Sequence, residues 1–125
     1  MRVAVTGASG FIGKWLLQDL VPKHEVIALA HVPEEMGRDT ATLTWVLTDY
    51  QPAHLIKTLR GCDAVVHLAG VRPLGGDDSP ADYRINVELT RVVFAAAHAA
   101  AVHRVVFISS IAVYAHGTIP LPFQE

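Results

Sequence analysis

Residues 2–13 read Arg2-Val3-Ala4-Val5-Thr6-Gly7-Ala8-Ser9-Gly10-Phe11-Ile12-Gly13. The apolar run Val3–Val5 ends in glycines, after which Phe11, Ile12, Trp15, Leu16, Leu17 and Leu20 recur at helical spacing. The pattern is a strand, a tight turn and a helix. Such a turn points bare main-chain N–H groups, backed by the positive end of a helix dipole, at an incoming anion. Gly7 supplies a bend that a Cβ would block. Gly10 lets a diphosphate approach the backbone, and Gly13 lets the helix lie tight on the strand. The spacing is G-x-x-G-x-x-G, not the commoner G-x-G-x-x-G, so the flanking strand and amphipathic helix carry the case. They weigh against the plain alternative, a structural turn that holds no ligand.

Outward from this stretch, apolar strands alternate with helices. Glu25–Ala30 reads as a second strand, and residues 33–41 as a polar loop with room for one helical turn. Thr42–Thr48, β-branched and aromatic, reads as a third strand. A helix opens at Pro52 and stops at Gly61, and Asp63–Ala69 forms a fourth strand ending at Gly70. Ser79-Pro80 caps a long helix running to about Ala101, and Val102–Ser109 is a fifth strand. All-apolar strands joined by helices imply an α/β, three-layer, doubly wound parallel sheet, Rossmann-like, in the order 3-2-1-4-5. The ligand crevice then falls at the carboxyl ends of strands 1 and 4, where the order reverses.

The 125 residues fit one domain, 51% hydrophobic and 18% charged, a core-forming composition. The net charge of −2 gives no electrostatic case for nucleic acid or an acidic membrane surface. A single cysteine, Cys62, excludes an internal disulfide and is read as a small apolar residue before strand 4. The chain opens on a strand with no basic and apolar leader pattern, so no signal peptide is expected, and no apolar run has membrane-spanning length. A cytoplasmic location is the expectation. The seven histidines show no H-E-x-x-H pattern, so no metal site is expected.

Thr6-Gly7-Ala8-Ser9-Gly10-Phe11-Ile12-Gly13 resembles, residue for residue, the T-G-[AG]-[ST]-G-F-[IL]-G opening of the NAD-dependent epimerase/dehydratase family, the extended short-chain dehydrogenases/reductases. The resemblance implies a dinucleotide held by Gly7, Ser9, Gly10, Phe11, Ile12 and Gly13. It also implies that Asp49, followed by Tyr50, accepts a hydrogen bond from the adenine amino group; Asp49 as a cap before Pro52 is compatible with this. His67-Leu68-Ala69-Gly70 matches the H-L-A-[AG] that lines the pyrophosphate and ribose, with His67 read as a buried strand residue and not a base. Asn86, a poor choice for a helix interior, matches an asparagine that ties the long helix to the strand 4 region. Ser109-Ser110-Ile111-Ala112-Val113-Tyr114 resembles S-S-x-x-V-Y-G, with Ala115 in place of the glycine. Ser109 then borders the cofactor, Ser110 orients the substrate's reacting oxygen, and Tyr114 is the structural tyrosine.

An acidic residue at the end of strand 2 would select NAD through the ribose. Here stand Ala30 and His31, with no carboxylate before Glu34. The choice between NADP and NAD leans to NADP, with His31 or Arg38 as the phosphate partner; His31 as an ordinary strand-end residue is an equal alternative. The family's proton-transfer pair is Tyr-x-x-x-Lys, in which the lysine lowers the tyrosine pKa. Four residues after Tyr50, Tyr83 and Tyr114 stand His54, Val87 and Thr118. A sixth strand and a substrate domain are absent too. Residues 1–125 are thus expected to be the incomplete dinucleotide-binding domain of a longer enzyme, inactive alone, with strand 5 left as an apolar edge. That enzyme would pass hydride to or from a nucleotide-sugar or another small alcohol or carbonyl compound. A non-catalytic dinucleotide-binding module, serving as redox sensor or interaction domain, is the rival. A mononucleotide-binding, flavodoxin-like domain is a third option that the glycine spacing disfavours. The family's habit of dimerising through the helix at 80–101 makes a homodimer an expectation by analogy.

Overall fold

The computed structural model describes residues 1–71 and 80–109, with the backbone alone for residues 80–82. Strand β1 (Arg2–Thr6) occupies the middle of a five-stranded sheet. Around it lie β2 (Glu25–Ala30), β3 (Leu43–Leu47), β4 (Ala64–His67) and β5 (Arg104–Phe107), in the spatial order β3-β2-β1-β4-β5. Every neighbouring pair is parallel. Helices α1 (Phe11–Leu20), α2 (Pro52–Leu59) and α3 (Pro80–Ala99) cover the sheet, and one 3-10 turn, Pro33–Glu35, follows β2. The expected doubly wound order is the observed one.

Side chains alternate across the sheet, and each face has its own core. Val3 and Val5 join Val26, Ala28 and Ala64 under Ala8 and Leu17 on the α1 side. Ala4, Ile27, Leu29 and Val65 face the other way, against Leu55 and Leu59 of α2 and Val93, Ala96 and Ala97 of α3. The alanine-rich end of α3 thus serves close packing. Leu29, Leu55 and Leu59 are fully buried, each contributing about 1.5–3 kcal/mol of transfer free energy. Cys62 is buried as expected, and burial raises its thiol pKa.

The helix ends have identifiable causes. Pro52 starts α2 behind Gln51, which takes the N-cap position without a side-chain bond. Asp49, weighed above as a cap, instead accepts the Gln51 N–H in a two-residue turn at 3.0 Å. At the end of α3, Ala101 adopts a left-handed φ of 56°. Its N–H bonds the His98 carbonyl at 3.0 Å, and the Val102 N–H reaches back to Ala97 at 2.9 Å. This is a Schellman closure with alanine where glycine is usual. Beyond it, β5 is shorter than the expected Val102–Ser109. As an edge of the described sheet it leaves Val106, Phe107 and Ile108 exposed. Among the described residues no helix is long and apolar enough to cross a membrane.

Candidate functional site

β1 delivers the chain into the glycine turn. Gly7 takes a φ of +67°, and a Cβ built there would lie 2.7 Å from the Ala69 nitrogen. Backbone therefore meets backbone where β1 and β4 leave the sheet, and only glycine fits. A Cβ on Gly13 would strike the carbonyls of Gly7 and Ala8, the latter at 2.5 Å. Gly13 is thus needed for the helix to seat on its own turn, a closer cause than the packing on the strand expected above. Gly10 is different. It is exposed, caps α1 at φ −69° and ψ 175°, and a Cβ there would meet only the Gly7 carbonyl, at 3.1 Å. The first helical bond runs from Lys14 N–H to Gly10 O. The amides of Phe11, Ile12 and Gly13 precede it, and no side chain caps them.

β4 supplies the opposite wall. His67 is buried, as expected, with Nδ1 2.7 Å from Thr6 Oγ1. Gly70 and Val71 follow, and Asn86 of α3 holds Val71 by both backbone polar groups, at 2.6 and 2.9 Å. That is the tie between helix and strand 4 that the sequence suggested.

The ends of β2 and β3 close the third side. His31 is exposed, and its Nδ1 lies 3.1 Å from the Thr48 carbonyl. A carbonyl only accepts, so Nδ1 carries the hydrogen. The ring stands 6.2 Å from that of Tyr50. Tyr50 has a left-handed φ of 59° and is mostly buried. Burial pushes its phenol up to about 12, offset in part by the Gly7 backbone and the Thr6 hydroxyl. The Gln51 amide holds the Asp49 carboxyl below its usual value, with a smaller contribution from His54. Across the mouth, Ser9 Oγ donates to Glu35 Oε2 at 2.7 Å.

These walls enclose one cleft of about 640 Å³, within the range of small-molecule sites. Of the residues named from sequence, Gly7, Ser9, Gly10, His31, Asp49, Tyr50, Leu68, Ala69 and Gly70 line it. Phe11, Ile12, Gly13, Asn86, Ser109 and Arg38 are not among its lining residues. Phe11 is 83% exposed on the first turn of α1. Ser110 and Tyr114 lie outside the described residues, as does Ser79. Sequence reasoning missed Glu35, Val71 and the α3 stripe of Ile85, Glu88, Leu89 and Val92. The stripe had a signal, helical spacing on a helix flanking the crevice. Glu35 had none, because a polar loop does not reveal which carboxylate turns inward.

The NAD dependent epimerase/dehydratase family matches residues 3–125. The chain belongs to that family. Among curated relatives, L-arabinose 1-dehydrogenase (NAD(P)(+)) of Haloferax volcanii is 35% identical over 111 residues, covering 87% of this chain and 41% of the relative. The fold superposes on UDP-N-acetylglucosamine 4-epimerase from Bacillus cereus with a TM-score of 0.82 at 28% identity, covering 100% of this chain and 45% of that one. A variant of uronate dehydrogenase from Agrobacterium tumefaciens, complexed with NAD, gives 0.74 at 26% identity, over 87% and 40% of the two chains. The chain thus spans less than half the length of these relatives.

Proposed function

We propose that this chain binds a nicotinamide dinucleotide across the cleft and forms the cofactor half of an NAD(P)-dependent epimerase, dehydratase or dehydrogenase. One observation carries the reading. The glycine turn and Leu68–Gly70, in backbone contact at Gly7 and Ala69, line one cleft together, with uncapped amides at the start of α1 beside it. The nicotinamide would supply hydride transfer to or from a small alcohol or carbonyl compound, a nucleotide sugar being one candidate class. Ser110 would orient the reacting oxygen. The tyrosine–lysine pair needed for proton transfer has no match in residues 1–125, so binding without turnover is the expected behaviour of this chain.

Of the two dinucleotides we assign NADP to the cleft. His31 stands at the end of β2 where a carboxylate would favour NAD, and its Nδ1 is committed to Thr48, so Nε2 is the ring atom that would meet a 2′-phosphate, against the opposing charge of Glu35 in the same cleft. The exposed apolar stripe of Tyr83, Val87 and Phe94 on α3 supports a homodimer through that helix. Titration of NADPH and NADH, followed by quenching of Trp15 and Trp45, tests the reading. Binding of NADPH at micromolar concentration, tighter than NADH, is expected. No binding of either overturns the function, and tighter NADH overturns the cofactor choice. A monomer by light scattering at high concentration removes the dimer.

A further inference from the structure

β1 and β4 leave the sheet side by side, and their ends share one hydroxyl. Thr6 Oγ1 accepts the N–H of Ala69 at 3.3 Å and shares that of Leu68, at 3.2 Å, with the Thr6 carbonyl, also at 3.2 Å. The same oxygen lies 2.7 Å from His67 Nδ1, and His67 Nε2 lies 3.2 Å from Thr90 Oγ1 on α3. Thr6 and His67 are both fully buried. The imidazole is stacked on Phe107, with ring centroids 5.7 Å apart and planes at 27°.

Donor counting decides where the hydrogens sit. A hydroxyl has one proton and two lone pairs. The two amides, one of them shared with the Thr6 carbonyl, point at the lone pairs of Thr6, so its proton goes to Nδ1, the shortest of these contacts at 2.7 Å. The ring's own hydrogen is then on Nε2, directed at Thr90. The reverse tautomer would press an N–H against an oxygen that already serves two donors.

We propose that His67, as the Nε2–H tautomer, is a positioning residue for the cleft: by accepting the Thr6 proton it keeps both Thr6 lone pairs on Leu68 and Ala69, the wall opposite the glycine turn. The proposal rests on the dinucleotide reading of that cleft. It matters because the wall has no slack. A Cβ on Gly7 would fall within 2.9 Å of the Leu68 carbonyl carbon, so a shift of residues 68–69 is passed directly to the glycine turn that lines the cleft with them.

The surroundings of the ring are uncharged. β1 presents Thr6, β5 presents Phe107 and α3 presents Thr90. The Tyr50 phenol is the titratable neighbour of the Thr6 hydroxyl. Burial alone lowers the basicity of His67. A proton gained at Nδ1 would turn the Thr6 contact from acceptor to donor and release the Ala69 amide, while the Leu68 amide keeps the Thr6 carbonyl.

Two measurements test this. The first is a nitrogen–proton correlation spectrum of the imidazoles, without nucleotide, from about pH 5 to about pH 8. At the upper end His67 should show a protonated Nε2 and a bare Nδ1; a protonated Nδ1 there overturns the proposal. The second is NADPH affinity of His67→Asn and His67→Gln at about pH 7.5. Asparagine places an amide near the position of Nδ1, and glutamine near that of Nε2. The asparagine variant should stay within about threefold of the parent, while glutamine loses about tenfold, the scale of one hydrogen bond. Equal losses, or the reverse order, overturn it. Should both variants misfold, Thr90→Val and Thr90→Ser take their place. Valine should weaken NADPH binding several-fold and serine restore it, whereas no difference between them overturns the proposal. Failure of the parent to bind NADPH would instead sink the dinucleotide reading, while the tautomer spectrum still decides whether His67 holds Thr6 as proposed.

Discussion

The side-chain amide of Asn86 closes on both backbone polar groups of Val71: the Val71 N–H donates to Oδ1 at 2.6 Å, and Nδ2–H donates to the Val71 carbonyl at 2.9 Å. This pairing fastens α3 to the exit of β4 across the cleft. Asn86→Leu removes both bonds and should cost about 1–3 kcal/mol. Asn86→Asp keeps the acceptor, loses the donor and should fall between. Urea midpoints of the three proteins check the order. Equal midpoints for asparagine and leucine would show that the pair contributes nothing.

The glycines of the turn should separate by function. Gly13→Ala drives a Cβ into two carbonyls, and a cost of at least about 3 kcal/mol is expected, of the order of overpacking in a rigid site. Gly10→Ala has an ordinary backbone conformation and one close neighbour. It should melt within a few degrees of the parent yet bind NADPH much more weakly. Melting curves followed by circular dichroism, paired with NADPH titration, distinguish the two.

Ala101 is an opportunity for stabilisation. It closes α3 in the left-handed region, at φ 56°, where an alanine Cβ is strained by about 1 kcal/mol. Ala101→Gly should therefore raise stability by about 0.5–1 kcal/mol. A lower urea midpoint for the glycine variant would contradict the Schellman assignment.

The Tyr50 phenol is held neutral by burial, with its pKa pushed from 10.0 to about 12. An unfolded tyrosine loses its proton first. The contribution to stability is therefore complete below about pH 10 and disappears as pH rises towards about 12. Ultraviolet titration of the phenolate band should show a late-titrating tyrosine that Tyr50→Phe removes.

Glu35 places a carboxylate in the cleft beside Ser9. A 2′-phosphate entering the same space meets that charge. Glu35→Gln should tighten NADPH about fivefold, equivalent to about 1 kcal/mol, and leave NADH nearly unchanged. A parallel gain for both nucleotides would place Glu35 away from the ribose.

The fold was largely legible because the period of the apolar residues changes with each element and glycine or proline marks most of the joints. Strand order followed from the handedness of parallel crossovers, which needs no atomic detail. The end of α3 was blurred because an alanine, not a glycine, closes it. Among the cleft's lining residues, Gly7, His31, Asp49, Tyr50 and Leu68–Gly70 were legible since they follow strand ends, and the topology brings those ends together. Glu35 was not, because its place depends on how a 3-10 turn aims one side chain out of several. Nor was the Thr6–His67–Thr90 chain, which joins residues from three elements and follows no local period.

Thr6 meets His67 across 61 positions of sequence, and β1 has β2 as its sheet neighbour on the other side. During synthesis, then, the phosphate-type loop emerges long before its facing wall does. Until β4 leaves the ribosome, the nascent chain carries a half-built cradle whose central strand can pair on its β2 side alone.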